Sequence, residues 1–340
     1  MAHQFESGFF VARPAWHQLG TVLKKPPTTE DAIIRAGLDW QVIEEPIVRT
    51  EQDNAILQKN LVRDRDRRLL GTVNHDYTPL QNEDAFRWFD PLLEQGDIQL
   101  NAAGSLQQGR RVWILAQVKN TAGKIGRNDY VRPYLLLHNS HDGSTAVWLQ
   151  FTPIRVVCMN TLAGAAAHRF GDLRQRKALC IPHNVNLAEQ LDKVQNLVDL
   201  TKREFQVCVE EYQAMASQEI NQELLSGYFD NVMGPRIARS LSVRQQLLQN
   251  FEQGIGNRGK TLWDAYNAIT EWIEHQMGSS AEERLLHSWF GNGVRLRRRA
   301  HHVALQTIDL GSTEVWQGPK VSSSSNALLA SSDKLELVRN

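Results

Sequence analysis

Apolar and polar positions change their period halfway along the chain. From Arg111 to Val118 they alternate, with Val112, Ile114, Ala116 and Val118 on one face and Arg111, Trp113, Leu115 and Gln117 on the other, which predicts a half-buried strand. Tyr134–His138 and Thr145–Phe151 are two further apolar runs, separated by Asn139-Ser140-His141-Asp142-Gly143-Ser144. An Asp-Gly pair between such runs predicts a β-hairpin. Pro153 is expected to interrupt the second strand. Ile154–Met159 should then resume an extended run, and Asn160 should cap a small-residue helix that begins near Thr161.

Past residue 183 the period is helical. Leu187, Leu191, Val194, Val198, Thr201, Phe205, Cys208, Tyr212 and Met215 follow one another in steps of four and three, a heptad seam sustained for four repeats. Such a seam packs on its own domain or forms an intermolecular coiled coil. Leu224–Met233, Ser240–Gln253, Leu262–Met277 and Glu282–Phe290 are further predicted helices, divided by glycine-containing breaks such as Gly254–Gly259. The expected fold class is α+β: a hairpin-rich antiparallel sheet in residues 1–183, a helical region in 184–310 packed on it, and a polar tail in 311–340 opened by Ser322–Ser325.

Composition narrows the function only by exclusion. In 340 residues, 38 Lys+Arg balance 38 Asp+Glu, so any surface for a polyanion must arise from local clustering. With 41% hydrophobic and 22% charged residues the chain reads as an ordinary globular protein. It offers neither a membrane-length apolar run nor a secretory leader, which predicts a cytoplasmic protein without a membrane partner. Cys158, Cys180 and Cys208 are odd in number and lie among apolar neighbours, as reduced, packed thiols do.

Several motifs carry a family likeness. Pro14-Ala15-Trp16-His17-Gln18-Leu19-Gly20-Thr21, Tyr77-Thr78-Pro79-Leu80-Gln81-Asn82, Gly104-Ser105-Leu106 and Gly109-Arg110-Arg111-Val112-Trp113 lead to a central block, Leu135–Ser144 running into Phe151–Leu162. With Leu262–Glu271 and Trp289–Gly293, these resemble a phage- and plasmid-like domain family of unknown function across Met1–Leu310. The resemblance implies a gene of a bacterial mobile element, commonly near recombination and single-strand-binding genes, and implies no reaction or catalytic residues. Gln18 stands where the family pattern usually has glycine.

Four groups of residues invite chemistry. His138, His141 and Asp142 surround one turn and could converge on Zn²⁺ or Mn²⁺, although a hairpin needs Asn, Ser, Asp and Gly there in any case. Cys158 with one of these histidines would make a nucleophile–base pair, against which stands an inert buried thiol. Gly254-Ile255-Gly256-Asn257-Arg258-Gly259-Lys260-Thr261 matches the phosphate-cradling loop G-x-x-x-x-G-K-[ST]. What precedes it is helically patterned rather than a strand, so a helix-to-helix turn is expected.

Basic residues are the fourth group. Arg155, Arg169, Arg174, Arg176 and Lys177 face Asp172 alone, and Arg295, Arg297, Arg298 and Arg299 lead into His301-His302. Arg110, Arg111, Trp113, Arg132, Tyr134 and Trp148 add cations and rings to the sheet region, the residue types that track phosphates and stack bases. Between Glu189 and Asp230, by contrast, nine acidic residues meet only Lys193, Lys202 and Arg203. The leading expectation is a DNA-transaction protein that binds single-stranded DNA, without cofactor or catalytic residues, through Arg110, Arg111, Arg132, Arg155, Arg169, Arg174, Arg176, Lys177, Arg298 and Arg299. A homo-oligomer and recombination or single-strand-binding proteins are the expected protein partners. Two alternatives stand beside it: a metal-dependent enzyme using His138, His141 and Asp142, and an interaction protein presenting the acidic helix as a host-takeover or DNA-mimic factor.

Overall fold

A computed structural model describes residues 5–12, 19–47, 58–158, 160–162, 178–181, 183, 191–238 and 240–310. Its strands are β1 (Phe5–Val11), β2 (Thr21–Leu23), β3 (Val42–Pro46), β4 (Gln58–Arg63), β5 (Leu69–Asn74), β6 (Ile98–Leu106), β7 (Arg111–Val118), β8 (Gly123–Gly126), β9 (Asp129–Ser140), β10 (Val147–Arg155) and β11 (Ala178–Ile181). The helices are α1 (Thr29–Ala36), α2 (Asn82–Arg87), α3 (Asp90–Glu94), α4 (Leu191–Ser217), α5 (Gln222–Ala238), α6 (Leu241–Gln253), α7 (Leu262–His275), α8 (Ala281–Phe290) and α9 (Asn292–Leu310). The fold is α+β, with the helices concentrated in the second half as the periodicity predicts.

The larger sheet runs β11-β10-β9-β7-β6-β1-β2, and β8 extends β9 beyond the end of β7; β3, β4 and β5 make a separate antiparallel sheet. All pairings in the larger sheet are antiparallel except β1 with β2. The predicted hairpin is β9–β10, with Trp148 opposite His138 and Phe151 opposite Leu135. Gly143 takes a positive φ of 73° in its turn, a conformation that costs glycine little.

Two local expectations need correction. Pro153 does not interrupt β10: it lies opposite Pro133, within a ladder that continues to Arg155. Both imides fit because neither faces a strand that needs an N–H. On its outer side β10 pairs with β11 only through Val147–Gln150, whereas Pro133 falls between the stretches of β9 held by β7 and by β8. Asn160 and Thr161 also depart from a helix start, since Thr161 bridges Ile154 and Asn160 O accepts from Arg155 N. The helix expected after Thr161 falls outside the described residues, as do Met159, the 13–18 stretch of the first motif and the 311–340 tail.

Three cores meet on β9. Leu135 and Leu137 join Val112, Ile114, Ala116 and Val118 in a core closed by α1, α2 and α3. On the other face Tyr134 and Leu136 join Trp113, Leu115 and Trp289. β7 is therefore buried on both faces, where alternation alone predicted one, because β7 lies inside the sheet and Trp289 packs edge-on against Trp113 at 4.6 Å. Val131 reaches the third core, formed mainly by α4, α5, α6, α7 and α9.

The heptad seam is an intramolecular contact. Val198, Thr201, Phe205, Cys208, Tyr212 and Met215 are all buried, Val198 in the first core and Phe205 onward in the third. α4 thus ties sheet to helices; Leu187 lies outside the described residues, and so do the side chains of Leu191 and Val194.

Candidate functional site

Arg155 is the clearest departure from the expected phosphate-binding set. Its side chain is 0% exposed, and Nε and Nη2 donate to the Asp129 carboxylate at 2.7–3.0 Å. Nη1 donates to Asn257 Oδ1 at 2.8 Å, Nη2 to Gly256 O at 2.9 Å and Nη1 to Ile255 O at 3.3 Å. Burial opposes the charge, but the hydrogen bond and Coulomb attraction of Asp129 outweigh it and hold the guanidinium above its ordinary pKa. A fully enclosed guanidinium has nothing left for a phosphate, so Arg155 is a clamp between β10 and the turn ahead of α7.

That turn is the glycine-lysine loop, and it joins α6 to α7 without a preceding strand. Asp264 occupies the donors that would otherwise hold phosphate: its carboxylate accepts from Arg258 N, Lys260 N, Thr261 N and Thr261 Oγ1 at 3.0–3.2 Å. With Thr261 it forms a capping box that starts α7. The loop is anion-satisfied from within.

The histidines do not converge. His138 stacks on Trp148, with ring centroids 6.5 Å apart, while His141 is fully buried beside Trp40 in the first core. Asn82 Nδ2 donates to Leu38 O and Trp40 O, so its Oδ1 accepts from His141 Nε2 and fixes the proton there. Burial lowers the His141 pKa to about 3 and the His138 pKa to about 4. Among the described residues no three His, Cys, Asp or Glu side chains assemble as metal ligands. Cys158 is buried and its thiol is pushed up to about 11 by that burial, so it is not an activated nucleophile.

The remaining basic residues divide by position. Arg110 is exposed at the β6–β7 turn, where Arg111 is held by Gln107 Oε1 at 2.9 Å and Ser144 Oγ at 3.2 Å. Arg132 is exposed on β9, and Arg298 and Arg299 are exposed on α9. Arg169, Arg174, Arg176 and Lys177 lie outside the described residues. Trp113 and Tyr134 are core side chains, which removes them as stacking platforms; Trp148 is half-buried.

Arg132 and Arg298 flank the same face of the sheet. Leu136 of β9 and Gln150 and Thr152 of β10 line one wall of a cleft of about 50 Å³, and Ser288, Trp289, Arg297 and Arg298 line the facing wall. Arg132 lies opposite Ile154, two residues along from Thr152 on that face. Leu162 borders the cleft, and Ala178 pairs with Gln150. Behind the cleft, Glu274 Oε1 accepts from Arg297 Nη2 at 2.8 Å, Ser288 Oγ at 2.6 Å and Thr161 Oγ1. His275 Nε2 faces Asn160 Oδ1 at 2.9 Å, and burial lowers its pKa. Asn160 and Thr161 of the central motif and Glu274 of the Leu262–Met277 helix are thus brought into one polar node.

Following the same face outward reaches a group that sequence reasoning missed. Tyr130 is 40% exposed and has Lys124 of β8 as its cross-strand partner, with Arg132 two residues along β9. Arg127 is exposed in the turn between β8 and β9. Lys124, Arg127 and Arg132 make no ion pair with any described residue; burial pushes the Tyr134 hydroxyl up, and the nearby Arg132 charge offsets part of that rise. From Leu136 to Tyr130 the strand covers about 20 Å. The local signal was the Lys124-Ile125-Gly126-Arg127-Asn128-Asp129 turn, whose Asn128 has a positive φ of 64°.

A family model, the domain of unknown function DUF932, matches residues 69–303. The chain belongs to this family. The matched DUF932 segment begins at β5 and ends within α9, so it contains the Arg155 clamp, the cleft and the β9 face, and leaves β1–β4 outside. No curated protein and no solved structure matches the chain. No helix among the described residues is long and apolar enough to cross a membrane.

Proposed function

We propose that the protein binds single-stranded DNA along the outer face of β9, from the cleft at Arg298 past Arg132 to Tyr130 and Lys124, as a non-enzymatic factor in the DNA transactions of a mobile element. The observation that carries this reading is Tyr130. Among the described Phe, Tyr and Trp side chains it is the exposed one, at 40%, and it sits between two cations that have no acidic partner among the described residues. Stacking on a ring with flanking positive charge is the sequence-tolerant way to hold a single strand. Recombination or annealing in the bacterial cytoplasm, in company with further copies of the chain or single-strand-binding proteins, is the setting this reading implies.

Fluorescence anisotropy of a short labelled single strand, measured across a salt series, tests it. Log affinity should fall linearly with log salt, by about 0.7 for each phosphate neutralised. Lys124→Ala with Arg132→Ala should flatten the slope by about 1.4. Tyr130→Ala should weaken binding by about 1–3 kcal/mol and leave the slope unchanged. Absence of binding at low salt rejects the function, whereas binding with an unaltered slope in the double variant rejects its placement on β9.

A further inference from the structure

Arg297 has hydrogen-bonding capacity that its own neighbours do not use. Its side chain is 7% exposed, and Nη2 alone serves Glu274 Oε1, Ser288 Oγ and Ser288 O. The Nε–H is buried and has no partner. A guanidinium is only a donor, so whatever completes Arg297 must be an acceptor, and burial beside a cation favours one that is negatively charged.

Arg297 lines the cleft, with Arg298 beside it and with Gln150 and Thr152 on the facing wall to supply an amide and a hydroxyl. Glu274 pairs with the Arg297 guanidinium, and Arg298 also lines the cleft. The cleft, at about 50 Å³, exceeds the roughly 10–15 Å³ that one water needs, so it admits a polyatomic anion. Trp289 contributes an apolar ring to the lining.

We infer that the cleft seats a single phosphate group, held by the unused edge of Arg297 and by Arg298, Gln150 and Thr152. The inference rests on the reading above where that group is a phosphodiester of the bound strand; free inorganic phosphate offers the same chemistry.

The test titrates the full-length protein with inorganic phosphate, against sodium chloride of equal ionic strength, and follows ³¹P line broadening and the thermal midpoint. Phosphate should raise the midpoint where chloride does not. Arg297→Lys keeps a cation for Glu274 but loses the planar fork, so it should weaken phosphate binding at least about tenfold. Gln150→Leu, which leaves the Glu274–Arg297 pair intact, should weaken it as well and keeps the test valid if the lysine variant does not fold. Phosphate should also displace a labelled single strand more strongly than ionic strength accounts for. Phosphate binding without strand binding would assign the seat to the free ion and reject the DNA reading. Strand binding with no response to phosphate beyond that of chloride would overturn the seat and leave the DNA reading standing. Wild-type phosphate affinity in both variants would overturn the seat.

Discussion

Replacing Arg155 by methionine should destabilise the protein without touching the surface proposed to meet DNA. The substitution keeps an unbranched apolar stem but removes every donor that Asp129 receives from the guanidinium, leaving that carboxylate only Trp263 Nε1 at 2.8 Å. It also leaves the acceptors Gly256 O, Ile255 O and Asn257 Oδ1 without the guanidinium donors, and removes the guanidinium 5.3 Å from the Trp263 ring. Losing one partner of a buried ion pair costs about 3–5 kcal/mol. Asp129 is 14% exposed, so water relieves part of its isolation and the lower half of that range applies. At about 2 °C per kcal/mol for a chain of this size, the thermal midpoint should fall by about 6–8 °C. Urea denaturation of Arg155→Met, Asp129→Asn and the double variant should give a coupling of at least about 1 kcal/mol. Additivity within about 0.5 kcal/mol would refute the clamp. So would a salt slope of DNA binding reduced by about 0.7 in the folded variant, because that would mean Arg155 reaches phosphate after all.

Other expectations follow from the same contacts. Phe205→Asp places a carboxylate where Phe151 packs edge-on at 6.4 Å, and should cost more than about 4 kcal/mol by urea denaturation; an unchanged midpoint would mean the seam is not core. ATP should not be hydrolysed, and Asp264→Ala should lower stability by about 2 kcal/mol through the lost cap; magnesium-dependent turnover abolished by Lys260→Ala would overturn the turn assignment. His141 and His138 stay neutral in the fold down to about pH 3 and about pH 4. The unfolded chain takes up their protons near pH 6.5, so stability should fall as pH drops below that value, by up to about 1.4 kcal/mol per unit for each histidine. His141→Asn should flatten this acid limb between pH 6 and 4, and an identical limb would show that the ring protonates in place.

Local information was enough where the structure is local. The Asp-Gly turn between two apolar runs specified β9–β10, the four-three spacing specified the buried face of α4, and a helical pattern ahead of Gly254 showed that the glycine-lysine loop joins helices. Reading failed where the outcome depends on a distant neighbour. Pro133 and Pro153 fit because of where β7, β8 and β11 stop, which their own sequence does not reveal. Trp113 became core because Trp289 covers it, and Arg155 became a clamp because a loop a hundred residues later supplies three acceptors. The cleft escaped notice for the same reason, since Gln150, Thr161, Glu274 and Arg297 come from separate elements.

Arginine clustering therefore overstates the phosphate-binding surface, and by an amount that can be measured. Arg63 is closed by Glu6 and Asp66, each at 2.7 Å, Arg155 by Asp129, and Arg297 shares its charge with Glu274. A buried guanidinium must have an acceptor whatever the protein does, so the pairs made by Arg63 and Arg155 say nothing about a polyanion, and Arg297 bears on one only through its unpartnered Nε–H. Lys124, Arg127, Arg132 and Arg298 are exposed cations on or beside the β9 face and the cleft. If each neutralises one phosphate, at about 0.7 apiece, these four contribute a salt slope of at most about 2.8. A slope near that value, reduced stepwise as the four are replaced by alanine, would show that the outer face of β9 carries the strand. A steeper slope that persists in the fourfold variant and vanishes on replacing Arg174, Arg176 and Lys177 would move the main contact to the run between Leu162 and Ala178.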